Sequence, residues 1–243
     1  MSTLPSAAIV LAAGLGTRMR PITDTLPKPL VPVGGKALID YGLDALAEAG
    51  VQRAIVNVHH LADQLEAHLA MRKRPAITIS DERERLLNSG GGFTKAARMT
   101  DDDPLLVLNA DTFWIDAPGT NALRVLAAHW DPATMDMLCL MVPLDRAVGH
   151  TGRGDFALAH GTHGRLHWSK DGAVYAGAAI VSPRIIKGDE PEAHSFKLHF
   201  DRLIEAGRLH GVMLEGLWLT VGTPDAIEEA ERAMNEYRSA LVP

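Results

Sequence analysis

The stretch Ala7–Val33, AAIVLAAGLGTRMRPITDTLPKPLVPV, decides the fold. Ile9, Val10 and Leu11 are β-formers, so an apolar strand is predicted to run into a loop at Gly14 and Gly16. Two glycines let the backbone turn sharply and bring its N–H groups close to a ligand. Such groups can cradle phosphate oxygens. Arg18 and Arg20 then supply permanently charged planar forks, and Lys28 supplies a compact ammonium between the rigid rings of Pro27 and Pro29. Two familiar glycine loops do not fit. A dinucleotide fingerprint needs a third glycine where Met19 stands, and a phosphate-binding Walker loop needs Ser or Thr where Ala37 follows Gly35-Lys36. Taken as a lone glycine pair, the loop reads as a strand-to-helix turn carrying exposed arginines, and it is the whole 27-residue stretch that favours the phosphate site.

Outward from this stretch, a helix is predicted from Ala37 to Ala49, closed by Gly50. A strand follows at Arg53–Val58, then leucines at helical spacing (Leu61, Leu65, Leu69) as far as Arg72, then a strand at Ile77–Ser80. This alternation predicts an α/β domain with a Rossmann-like, mostly parallel sheet flanked by helices. Ligands of such sheets bind beyond the carboxyl ends of the strands, where the glycine loop, His59-His60 and Asp81-Glu82 are all expected. The adjacent histidines lack a second cluster at zinc spacing and read as a polar loop or a hydrogen bond to nucleotide. The basic run Arg72-Lys73-Arg74 reads as a helix C-terminus facing its own dipole.

Asn88-Ser89-Gly90-Gly91-Gly92 precedes a helix predicted from Phe93 to Met99. Bare backbone at a helix N-terminus suits a phosphate or a planar base, and a flexible hinge is the competing reading. Leu105–Asp111, LLVLNAD, is a buried strand running into a carboxylate. That carboxylate could hold Mg²⁺ or could simply cap a turn. A helix is predicted over Asn121–Trp130 and a strand over Met135–Val142. Short strands then suggest a hairpin around residues 160–164 and a strand at Val174–Ser182. An amphipathic helix (Ser195–Ala206), a strand (Arg208–Leu214) and a last helix starting at Pro224, with Thr223 as its N-cap, complete the pattern.

The 243 residues are 47% hydrophobic with a net charge of −6 and a mean hydropathy near zero, enough to bury one large core. The acidic balance, with no basic stripe, argues against a nucleic-acid partner. No segment approaches the length of a membrane span. Cys139 is the sole cysteine, set between leucines, and reads as a buried, inert thiol compatible with a reducing cytoplasm.

LAAGLGTRMRPITDTLPKPLVPV resembles the signature of the sugar-phosphate nucleotidyltransferases, the NDP-sugar pyrophosphorylases, and weaker similarity continues to the C-terminus. Within that family, the short length and Ser89-Gly90-Gly91-Gly92 look most like the N-acetylmuramate 1-phosphate uridylyltransferases. The resemblance implies the nucleotide-diphospho-sugar transferase fold as a single domain over 1–243. Its nucleotide-binding part would span about 1–118, and its sugar-binding part, with a small β-rich insert as a wall over the sheet edge, about 119–243. It implies transfer of a nucleotidyl group from a nucleoside triphosphate, UTP in the case of the uridylyltransferases, to a sugar 1-phosphate with Mg²⁺. It implies catalytic roles for Arg18, Lys28 and Asp111, with Asp111 the metal ligand. It implies nucleotide contacts from Leu11, Ala12, Ala13, Gly14, Gly16, Thr17 and Arg18, and from Ser89, Gly90 and Gly91 at the base. Sugar contacts are implied at Asn109, Gly154, Asp155, Tyr175 and Gly177, where a hairpin charge is the rival reading of Asp155. Trp218-Leu219-Thr220-Val221-Gly222-Thr223-Pro224 resembles the family's second metal motif, but Thr220 stands where aspartate is usual. That departure motivates an alternative, a non-catalytic nucleotide or sugar-nucleotide binding protein of the same fold. No oligomeric state follows from these residues.

Overall fold

The computed structural model describes residues 4–159 and 163–241; the turn predicted within 160–162 lies outside the described residues. In chain order the strands are β1 (Ala7–Leu11), β2 (Pro32–Val33), β3 (Lys36–Ala37), β4 (Arg53–Val58), β5 (Ala76–Asp81), β6 (Leu105–Asn109), β7 (Thr112–Asp116), β8 (Met137–Val142), β9 (Ala147–Val148), β10 (Phe156–Leu158), β11 (His163–Trp168), β12 (Val174–Val181), β13 (Leu209–Met213) and β14 (Gly216–Thr220). The helices are α1 (Leu38–Ala49), α2 (Ala62–Ala70), α3 (Asn88–Ala97), α4 (Ala122–His129), α5 (Lys197–Glu205) and α6 (Asp225–Ala240).

Nine strands form one sheet in the order β10-β11-β13-β8-β12-β6-β1-β4-β5. Strands β6, β1, β4 and β5 are mutually parallel, and the pairings across the rest leave only β12 and β11 running against the other seven. The sheet is therefore mostly parallel, as the βαβ rhythm predicts. Buried strands explain the uninterrupted apolar runs: all six residues of β8, MLCLMV, are buried, each large side chain contributing about 1.5–3 kcal/mol. The two faces are covered separately. Leu43, Leu46, Leu65 and Leu126 from α1, α2 and α4 close one, and Phe93 of α3, Phe196 just before α5 and Phe200 of α5 close the other.

Several boundaries differ from the sequence expectations for identifiable reasons. The hairpin β10–β11 is not a separate wall, because β11 pairs with β13 and extends the main sheet. A second sheet, β7-β14-β9, carries the Trp218–Thr220 segment and packs with α6 around Met19, Phe113 and Leu219. Arg72 follows the end of α2 and is engaged by side chains of α1. Its guanidinium ties the end of α2 to α1 through Asp40 at 3.0 Å and through Asp44. Helix α6 begins at Asp225, with Pro224 rather than Thr223 at its N-cap.

Helix α3 begins five residues before the predicted Phe93, so Gly90, Gly91 and Gly92 lie inside it. Three helical glycines cost about 1 kcal/mol each relative to alanine. Close approach explains them. A Cβ at Gly91 would lie 2.1 Å from the Glu192 carbonyl oxygen, and one at Gly90 would lie 2.4 Å from the His194 ring. The segment before α5 is pressed against the helix and held there by Gly90 N–H to His194 O (2.9 Å) and His194 N–H to Leu87 O (3.1 Å).

Candidate active site

The carboxyl ends of β1, β4 and β6 open on a cleft of about 440 Å³. One wall is the glycine loop from Leu11 to Thr17, the opposite wall is Leu86, Asn88 and Ser89, and the floor carries Lys28, Asn109 and Asp111. Parallel strands deliver these groups to one edge because each leaves the sheet in the same direction.

The loop is held at its root and open at its tip. Ala12 and Ala13 donate their N–H groups to Asn57 Oδ1 at 2.6 and 3.2 Å. Their amides, expected to face nucleotide, are thus engaged with β4. Beyond them, the N–H groups of Gly14, Leu15, Gly16 and Thr17 have no hydrogen-bond partner among the described residues. Gly16 adopts φ 63°, and a Cβ there would lie 2.9 Å from both Lys28 and Thr23 side chains, so only glycine lets the loop fold back over Lys28. Thr23 Oγ1 donates to Gly16 O at 2.8 Å and fixes that turn.

Lys28 sits between prolines in a short helical turn, its residue 8% exposed, and reaches Asp111 Oδ2 at 2.6 Å. Asp111 follows the end of β6, with its side chain 38% exposed toward the cleft. An almost buried ammonium and a half-exposed carboxylate thus share the floor of a pocket whose wall offers unpaired backbone donors. Such a surface has the chemistry to hold a polyanion with an associated cation.

Arg18 lies apart from this pair. It is exposed, and a methyl group at Gly222 would meet its guanidinium at 3.4 Å, so it borders the turn after β14. Arg20 forms a surface pair with Asp24 at 3.2 Å. Thr220 lies opposite Thr112 in the β14–β7 register, and the next residue, Val221, donates its N–H to the Asp111 carbonyl at 3.3 Å. The segment resembling a second metal motif therefore does come beside Asp111, with a hydroxyl in place of a carboxylate.

At the wall opposite the glycine loop, Ser89 lines the cleft and its Oγ accepts from Phe196 N–H at 2.9 Å. Gly90 and Gly91 do not line it. They face the 192–195 segment, so their missing side chains make room for protein and not for a ligand. Asn88 takes φ 58°, a left-handed conformation that asparagine tolerates better than most residues, and turns the chain into the cleft wall.

Of the five expected sugar contacts, only Asn109 lines the cleft. Gly177, at φ 77° in a bulge of β12, backs onto it: a Cβ there would lie 2.3 Å from Thr112 Oγ1 and 3.1 Å from Asn109. The bulge is tied down through the Ala176 carbonyl, which accepts from Trp218 Nε1 (2.8 Å) and Thr112 Oγ1 (3.0 Å). Asp155 Oδ2 accepts from Tyr175 N–H at 2.9 Å, a tie from the residue before β10 to β12 that replaces the hairpin-charge reading. The Tyr175 ring meets Phe200 edge-on at 5.5 Å, and burial raises its hydroxyl pKa well above the usual value. Gly154 is pressed against Gly172, where a Cβ would lie 2.2 Å from the carbonyl oxygen. Cys139 is fully buried, and burial followed by the Asp155 charge pushes its thiol up, which keeps it protonated and inert.

His59 and His60 brace loops. Their ring nitrogens bond the Glu82 and Thr23 carbonyls, each at 2.8 Å. Asn57 was not singled out from sequence. Its only signal is a polar residue inside the otherwise apolar AIVNV of β4. Among the described residues no helix is long and apolar enough to cross a membrane.

Residues 7–149 match the nucleotidyl transferase family model. An N-acetylmuramate alpha-1-phosphate uridylyltransferase of Caulobacter vibrioides is 42% identical over 244 residues, covering 97% of this chain and 100% of that protein. A protein of the same name from Neisseria meningitidis serogroup B is 31% identical, covering 95% of this chain and 99% of its own. Among solved structures, a UDP-glucose pyrophosphorylase complexed with UDP-glucose shares the fold at a TM-score of 0.79 over 96% of this chain and 99% of that one, with 16% identity.

Proposed function

The chain belongs to the nucleotidyl transferase family, and we propose that it joins UTP to N-acetylmuramate 1-phosphate, giving the UDP-sugar and pyrophosphate. The observation that carries this reading is the Lys28–Asp111 pair on the floor of a cleft walled by unpaired loop amides. The choice of uridine and of the sugar is supported by the relative that matches 97% of this chain.

A sugar 1-phosphate is already ionised near neutral pH, so one of its oxygens can attack the α-phosphorus directly. The new P–O bond forms as the bond to the β-phosphate oxygen breaks, and pyrophosphate carries away the electron pair. No covalent enzyme intermediate and no strong base are needed, so the protein acts by positioning and by stabilising charge. The amides of Gly14 to Thr17 would hold the triphosphate. Lys28 would contact the α-phosphate and the incoming phosphate, and Arg18, beside the Gly222 turn, would steady the leaving pyrophosphate. Asn109 and the backbone at Gly177 would meet the sugar.

The donor set fits magnesium in one form only. Among the described residues no three His, Cys, Asp or Glu side chains gather to hold a metal, and Asp111 offers a single hard carboxylate. Magnesium suits this, because it is commonly bound by one or two carboxylates with phosphate oxygens and waters completing the shell. Bound there, the ion would neutralise phosphate charge as the α–β bond breaks. A nucleoside triphosphate co-substrate makes the cytoplasm the proposed location, and the sugar makes reuse of peptidoglycan components the proposed role.

Pyrophosphate release, measured with Mg²⁺ across nucleoside triphosphates and hexose 1-phosphates including N-acetylmuramate 1-phosphate, tests the reading. Turnover is expected to be fastest with UTP and N-acetylmuramate 1-phosphate. Turnover with another pair would replace the substrates. UTP binding without turnover on any sugar phosphate would instead mark the non-catalytic binding protein that Thr220 motivates.

A further inference from the structure

Asn57 and Glu82 are a buried polar pair, 2% and 1% exposed, in an otherwise apolar layer beneath the cleft. Asn57 Nδ2 donates to Glu82 Oε1 at 2.7 Å. Every other polar atom of the two side chains is spent on a cleft wall: Asn57 Oδ1 accepts from Ala12 and Ala13 N–H, and Glu82 Oε2 accepts from Leu87 N–H at 2.9 Å. A continuous hydrogen-bonded chain thus runs from the root of the glycine loop to the residue between Leu86 and Asn88. Gly92 makes room for it, since a Cβ there would lie 2.6 Å from Asn57 Nδ2 and 2.7 Å from Glu82 Oε1.

From this geometry we infer that Asn57 and Glu82 are positioning residues for the nucleoside triphosphate, setting the separation between the loop that holds its phosphates and the wall that faces its base. The inference rests on the nucleotidyl-transfer reading of the cleft. The chain touches both nucleotide walls and neither Asn109 nor Gly177. Its loss therefore acts on the triphosphate and spares the sugar phosphate. Burying a carboxylate costs free energy that an apolar pair would not, and here both of its oxygens are engaged in fixing backbone.

The donor pattern supplies a decisive test. In Asn57→Asp, the atom that donated to Glu82 becomes an acceptor facing a carboxylate. In Glu82→Gln, one of the two bonds to Glu82 meets a donor with a donor. Combining the two changes restores every bond, with only the one between the two side chains reversed in direction: the carboxylate at position 57 accepts from Ala12, Ala13 and the amide at position 82, whose oxygen accepts from Leu87 N–H. The charge of the pair stays the same. Each single variant is expected to weaken UTP binding by about 10- to 100-fold, the effect of one buried group left unpaired. The double variant should return to within about threefold of the parent by the logic of a double-mutant cycle. UTP affinity is read by titration calorimetry, which needs no turnover, and the KM values for UTP and sugar 1-phosphate are read where each variant is folded by circular dichroism. A purely structural role would lower kcat through loss of folded protein without separating the two KM values.

The inference is overturned if the folded single variants keep parental UTP affinity, if both KM values rise together, or if the double variant binds no better than the singles. Should a single variant fail to fold, Gly92→Ala, which presses a methyl group against the same pair, must show the same UTP-selective loss or the inference falls. If the parent itself binds no UTP, the proposed function fails, and that outcome is read before any variant is compared.

Discussion

Replacing Lys28 with methionine keeps an aliphatic stem between Pro27 and Pro29 and removes the ammonium that lies 2.6 Å from Asp111. The effect on folding is bounded by exposure. Lys28 is nearly buried, but the carboxylate left behind is 38% exposed and rehydrates, so the loss falls between that of a surface pair and a buried one. This amounts to about 1–2 kcal/mol, or a fall in Tm of about 2–8 °C for a domain of this size. The effect on turnover is larger, because an ammonium aimed at the transferring phosphate acts where charge develops. By analogy with removal of one pre-organised donor, kcat falls by about 10²–10³. The assay is pyrophosphate release at saturating substrates, at a temperature well below both melting points. A kcat within about threefold of the parent would refute the placement of Lys28 at the phosphates. A large fall in Tm with activity lost in proportion would make the pair a fold-stabilising one instead.

Gly91→Ala is expected to force the 192–195 segment off α3, because the added methyl meets the Glu192 carbonyl at 2.1 Å. The cost is about 1–3 kcal/mol of overpacking, seen as a lower Tm, and an unchanged Tm would refute the close approach. Thr220→Asp adds a carboxylate beside Asp111, and the Mg²⁺ concentration giving half-maximal activity should fall by about fivefold or more; no change would mean that position 220 does not face the ion. Acid stability provides a third test. Burial, then the neighbouring His194, lowers the His199 pKa from its ordinary 6.5 to about 4. The folded state then holds a neutral ring where the unfolded state takes up a proton, so this contribution is intact above pH 6.5 and is lost as pH falls from 6.5 toward 4. It reaches about 3 kcal/mol at the low end. His199→Leu should flatten this part of the urea-stability profile, and an equally steep profile would refute it.

Sequence made some levels of this molecule legible and left others hidden, and the division follows from what each residue senses. The rhythm of apolar runs and glycine stops located β1, α1, β4 and β5 within a residue or so, because strand burial and a left-handed helix cap at Gly50 are local demands. Lys28 and Asp111 were legible as well. Lys28 stands out by the prolines on either side of it and Asp111 by the family resemblance of its motif, and the two meet in the cleft. The hairpin β10–β11 was read as a wall over the sheet edge because nothing in its own residues reveals that β13, some forty positions later, offers a free edge for it to join. Asn57 was passed over for a similar reason. A polar residue in a strand says that a partner exists, but Ala12, Ala13 and Glu82 are chosen by sheet order.

The three glycines of α3 carry the same lesson further. Bare backbone next to a helix start invites a ligand, and that inference treats the absence of a side chain as space for substrate. Here the space is taken: His194 and Glu192 fill the positions where side chains of Gly90 and Gly91 would go, and Asn57 with Glu82 fills that of Gly92. The glycines nevertheless serve the cleft, at one remove. By letting two segments close on α3, they fix Ser89 against Phe196 and allow the buried pair to join the wall at Leu87 to the root of the phosphate loop. Glycine at Gly16 and glycine at Gly92 thus do different physical work. At Gly16 a positive φ folds the loop over Lys28 and leaves its amides open to the cleft. At Gly92 close packing lets the buried pair hold that loop at a set distance from the wall at Leu87.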